Sequence, residues 1–139
     1  VVSDFRTTEQ LRGLFELAAQ CLPPGGLLLF NAFVAQRDYT PDAAARELGQ
    51  QRYTTIFTQD EFASASSALP VQLISDVPVY DYEKANLPTD AWPPTGGYEN
   101  WVSGLDVYDV PRERRPIEMR WLVYRRIGPA GSPPADDTG

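Results

Sequence analysis

Leu11, Leu14, Phe15, Ala18, Cys21 and Leu22 recur three and four residues apart, the spacing of one helix face. Thr7-Thr8-Glu9-Gln10 stands before them as a capping box. In such a box the Thr7 hydroxyl takes a free N–H three residues on, and Gln10 reaches back. Pro23-Pro24 stops the helix, and Gly25-Gly26 allows the positive φ of a sharp reversal. The pattern predicts a helix over Thr8–Cys21, with Cys21 on its buried face as an inert thiol rather than a nucleophile. Residues 27–35, Leu-Leu-Leu-Phe-Asn-Ala-Phe-Val-Ala, are apolar on both alternations. That predicts a strand covered on both faces, as in a parallel sheet between helix layers.

Thr40-Pro41-Asp42 predicts a short helix to Leu48 with Gly49 as its stop. Residues 53–57 have strand composition or form an extended lead-in. Thr58-Gln59-Asp60-Glu61 is a second capping box, with Phe57 and Phe62 placed for a hydrophobic staple, and its helix should end before Pro70. Alternation over 71–82 predicts a strand, which Pro78 marks as an edge strand or a bulge. Residues 117–127 form the clearest late strand. The 83–116 connection holds Trp92, Tyr98, Trp101 and four prolines besides Pro116; connections of this length serve as lids, binding loops or interfaces. A short helix is expected over 98–102. Residues 128–139 read as a solvated tail.

Composition narrows the chemistry. The 139 residues hold no His and one Cys. Ser-His-Asp and Cys-His catalysis, imidazole metal sites and intramolecular disulfides are excluded, and no metal is expected. The net charge of −7 argues against nucleic acid and against an anionic membrane surface. No apolar run approaches the roughly 20 residues of a membrane span. The opening Val1-Val2-Ser3-Asp4 has no leader pattern, so the cytoplasm is the expected compartment. Charge is segregated: seven acids face Lys84 over 76–109, whereas 110–127 carries six Arg against two Glu. Pairing between these stretches across neighbouring strands is expected.

The run from Leu17 to Phe30, containing Leu22-Pro23-Pro24-Gly25-Gly26, resembles the helix, L-x-P-G-G turn and fifth strand of class I S-adenosylmethionine-dependent methyltransferases. Ser3-Asp4-Phe5 resembles the exit of that family's fourth strand, 58–62 the start of the helix before the sixth, and 71–82 the sixth. Residues 117–127 resemble the antiparallel seventh strand, set between five and six. The resemblance implies a partial doubly wound, mixed α/β sheet over 1–127, with 84–116 as an insertion. The Gly-rich loop and ribose-binding acid that hold the cofactor in this family have no counterpart here. The implied function is therefore the C-terminal half of a methyltransferase acting on a small molecule, inactive without its N-terminal, cofactor-binding half. The alternative is a non-catalytic module for ligand capture or dimerisation.

Methyl transfer suits a chain without histidine, since the sulfonium arrives activated and the protein chiefly aligns the acceptor. Asp4, Phe5 and Arg6, at a strand's carboxyl end, are the candidate S-adenosylmethionine contacts; the other reading of Asp4 is a charge biasing a helix entry. Asn31, the polar residue in an apolar strand, belongs to a structural network or, with Phe33, to the acceptor site. Trp92, Tyr98 and Trp101 roof a substrate, or else cover the sheet or build a homodimer contact.

Overall fold

The computed structural model describes residues 5–93 and 97–128. Thr7 opens helix α1 (Thr8–Cys21) with the capping box complete: the Gln10 N–H donates to the Thr7 hydroxyl at 3.2 Å, and the Thr7 N–H to the Gln10 side chain at 3.2 Å. Leu11, Phe15 and Ala18 are its buried stripe. Cys21 is exposed, contrary to expectation. At about 100° per residue, Leu22 returns to within about 20° of Leu11, while Cys21 lies about 80° off the stripe. Gly25, at φ +88°, makes the turn into strand β1 (Leu27–Ala35).

Asp42 caps helix α2 (Ala43–Gln51), its carboxylate accepting from the Ala45 N–H at 2.8 Å. The helix does not stop at Gly49. Gly49 lies inside it because the Thr54 carbonyl oxygen approaches to 2.3 Å from where a Cβ would stand. Strand β2 (Ile56–Phe57) follows, then helix α3 (Gln59–Ser66), whose Thr58–Glu61 capping box is also complete. The staple is present too, with the Phe57 and Phe62 rings 5.5 Å apart. Glu61 does double duty: it caps α3 and pairs with Arg46 of α2 at 3.0 Å.

Strand β3 (Val71–Pro78) is shorter than the alternation suggested. Residues 79–82 are not strand; they open helix α4 (Val79–Asn86). Pro78 has the fixed φ of a residue entering a helix, and Asp81 in the first turn and Lys84 in the last match the helix dipole. Two 3-10 turns (Thr89–Ala91 and Arg112–Arg114) flank helix α5 (Tyr98–Val102), which forms where expected. Strand β4 (Ile117–Arg126) ends the described sheet.

The sheet order is β2-β1-β4-β3. β1 and β2 are parallel, and β4 runs antiparallel to both β1 and β3, so β1 and β3 point the same way. The last strand therefore lies between two earlier ones, as expected. β3 is an edge strand, and its bulge falls between Leu73 and Ser75 rather than at Pro78. The acidic and basic stretches meet where β3 adjoins β4: Arg120 pairs with Asp76 at 2.5 Å and also with Glu118.

Helices cover both faces. On one, Phe30, Ala32, Val34, Leu122 and Tyr124 pack beneath α1 and α3. On the other, Phe33, Ala35, Ile117 and Met119 pack beneath α4 and α5. Each fully buried Val, Leu, Ile, Phe or Met side chain among these contributes about 1.5–3 kcal/mol. The double coverage expected of β1 holds only for its second half. Leu27 and Leu29, on the α4–α5 face, remain 47% and 59% exposed. This is a partial doubly wound α/β sheet.

Candidate functional site

Ligands of open α/β sheets bind beyond the carboxyl ends of the parallel strands. Here β1 ends at Ala35 and β3 at Pro78, and the first residues of β4 lie beside both. A cavity of about 490 Å³ opens at this end. Gln36 and Tyr80, just past β1 and β3, form part of its wall, with Ile117 and Met119 of β4 and Val102 of α5.

The rest of the wall comes from the 97–115 loop, and Arg115 organises it. The residue is 7% exposed, and its guanidinium is held by three oxygens of the loop. It donates to the Val110 carbonyl at 2.9 Å, the Asn100 side-chain oxygen at 3.1 Å and the Ser103 hydroxyl at 2.7 Å. The Ser103 hydroxyl in turn donates to the Glu99 backbone carbonyl at 2.7 Å. Arg112 pairs with Glu99 at 2.7 Å and lies 4.5 Å from the centre of the Tyr80 ring, a cation–π contact.

An aromatic chain covers the neighbouring sheet. Tyr80 meets Trp92 at 5.2 Å, Trp92 meets Tyr98 at 5.1 Å, and Trp101 lies 6.4 Å from both Tyr98 and Phe33. All four contacts are edge-on, the geometry aromatic quadrupoles favour. The Tyr98 hydroxyl donates to Glu83 and so ties α5 to α4. Burial first, then this carboxylate, pushes the Tyr98 phenol well above its ordinary pKa. The Tyr98 phenol is thus held neutral, as the donor of this hydrogen bond.

Of the residues singled out from sequence, Phe33, Trp92, Tyr98 and Trp101 come together in this cluster. Asn31 and Phe5 come together elsewhere, in a cavity of about 310 Å³ beside the first half of β1. Asn31 there faces Trp121 across the β1–β4 pair. The indole N–H of Trp121 is buried without a hydrogen-bond partner, and the Asn31 amide has none among the described residues. Arg6 stands apart and bonds Gln50, whose side chain donates back to the Arg6 carbonyl at 3.2 Å. Asp4 lies outside the described residues.

Sequence reasoning missed Arg115, Tyr80 and Trp121. The β4 alternation puts Trp121 in phase with Met119 and could have found it. Nothing local separates Arg115 from Arg112 and Arg114; burial alone does. Among the described residues, no group of three or more acids or cysteines is placed to hold a metal ion, and no helix is long and apolar enough to cross a membrane.

No family model and no curated protein matches the chain. The fold itself shows a small α/β domain, a four-strand mixed sheet flanked by helices, with a cavity of about 490 Å³ at the carboxyl end.

Proposed function

We propose that this chain is the C-terminal portion of an S-adenosylmethionine-dependent methyltransferase that acts on a small-molecule acceptor. One observation carries the reading: the last strand, β4, lies antiparallel between β1 and β3, which are parallel to each other. That order follows the L-x-P-G-G turn that carries the resemblance. The cavity at the carboxyl end supports an acceptor seat.

The described residues do not fit the cofactor. No Gly-rich loop joins a strand to a helix: β1 leads into α2 through 36–42 without glycine, and β2 runs straight into α3 through Thr58. The free N–H groups at the start of α3 are in part already capped by the Thr58 hydroxyl. A nucleoside sulfonium finds no cradle in these elements, and in this reading its loop and ribose contacts belong to an upstream half. This chain's part is to bind and orient the acceptor and to exclude water from it. Calorimetric titration of residues 1–139 with S-adenosylmethionine should therefore give no saturable heat. Tight binding would sink the division of labour proposed here. The reading frame upstream of Val1 tests the larger claim: it should encode parallel strands with a G-x-G-x-G loop.

A second reading, a non-catalytic module for association, is favoured by the exposed Leu27 and Leu29. An unrelated upstream frame together with a stable homodimer would establish it instead.

A further inference from the structure

We propose that the cavity at the carboxyl end of β1 and β3 binds a small zwitterion, its carboxylate on Arg115 and its ammonium on Glu113. Burying a guanidinium is costly unless a carboxylate or good hydrogen bonds compensate it. Arg115 is more than nine-tenths buried, yet its protein partners are three neutral oxygens on Val110, Asn100 and Ser103. No ion pair joins it to an acid among the described residues. Its second terminal nitrogen has no protein partner there either, and the residue lines the cavity. A buried guanidinium with a free donor at a cavity wall is an anion seat.

The acids of the same wall divide in a telling way. Glu99 is matched by Arg112. Glu118 shares Arg120 with Asp76. Glu113 has no cationic partner among the described residues. After internal pairing, the wall is left with the Arg115 cation and the Glu113 anion. A simple anion would meet repulsion from Glu113, and a simple cation from Arg115. A molecule carrying both charges satisfies both. Val102, Ile117 and Met119 supply the apolar wall for its body. The site stands on this cavity alone; its role as the seat of a methyl acceptor rests on the function proposed above.

Three probes share one body: L-phenylalanine, 3-phenylpropionate (no ammonium) and 2-phenylethylamine (no carboxylate). Calorimetry on residues 1–139 should rank phenylalanine at least about tenfold tighter than either partial analogue, the worth of one well-placed ionic contact. Glu113→Gln, an exposed change, should bring phenylalanine down to the level of 3-phenylpropionate. Arg115→Gln should abolish binding of the two carboxylates. Because Arg115 also holds the loop, that variant counts only with an unchanged thermal transition; otherwise the wild-type ranking and Glu113→Gln decide. Equal affinities for the three probes, or no binding of phenylalanine up to about 10 mM, overturns the proposal. Binding of phenylalanine by a full-length protein that transfers no methyl group would instead overturn the methyltransferase reading and leave this site standing.

Discussion

At Gly49 the absence of a side chain is a packing requirement. A Cβ there would stand 2.3 Å from the Thr54 carbonyl oxygen, and that backbone is held in turn by the Thr54 N–H donating to the Gly49 carbonyl at 2.7 Å. Replacing a mid-helix glycine with alanine ordinarily stabilises by up to about 1 kcal/mol. Here the clash with fixed backbone should win, and Gly49→Ala should destabilise by about 1–3 kcal/mol. Chemical denaturation should show a lower midpoint at unchanged slope; a raised midpoint would mean the close approach is absent. The sequence alone suggests a helix stop at this glycine, because a stop and a close contact leave the same letter. Cys21 teaches a related lesson. Its spacing looks apolar-periodic, but one residue of rotation separates it from the covered stripe. Arg115 is the extreme case, since its neighbours Arg112 and Arg114 have the same composition and none of its burial.

At the scale of elements, buried and half-buried phenols tie the pieces together. Tyr98 joins α5 to α4 through Glu83, and Tyr108 joins the 103–110 loop to Tyr39 at 2.8 Å. Tyr124 of β4 lies between Phe15 of α1 at 4.6 Å and Phe30 of β1 at 5.9 Å. Burial pushes all three phenols up; the Tyr124 phenol reaches about 12. A raised tyrosine pKa means the folded state prefers the neutral form. The associated stability is fully present below the ordinary value of about 10 and is lost as pH climbs through the folded values. Denaturation midpoints should therefore fall steadily from pH 10 upward. A phenolate absorbance titration should show these tyrosines ionising only as the protein unfolds; hyperbolic titration with no loss of fold would refute the coupling. Elements with local signals were legible: both capping boxes, the helix at 98–102 and the strand at 117–126; the place of β4 between β1 and β3 came from the resemblance. The 79–82 segment was misread because Val79, Tyr80 and Tyr82 suit a strand as well as a helix. Pro78 and the charges of α4 decide between them.

At the scale of the whole molecule, one sheet face is half dressed. Beyond α4 and α5, Leu27 and Leu29 face solvent, and no described strand pairs with the outer edge of residues 27–32. Such an edge invites another strand. Sedimentation of residues 1–139 should show association that grows with concentration, and Leu29→Lys should suppress it without lowering thermal stability. Strict monomers at high concentration would count against it. The double coverage of β1 was legible as a pattern; which half is covered was not, because that depends on where α4 and α5 end. The strand order also has a temporal meaning. β1 is complete at Ala35, but its long neighbour β4 starts only at Ile117. At about 5–20 residues per second of synthesis, roughly 5–18 s pass before that partner has been made. For that interval Leu27, Leu28, Leu29 and Phe30 form a nascent apolar strand without its central pairing. The ribosome-bound chain, rather than the finished fold, is where this protein is most exposed to aggregation and most in need of a chaperone.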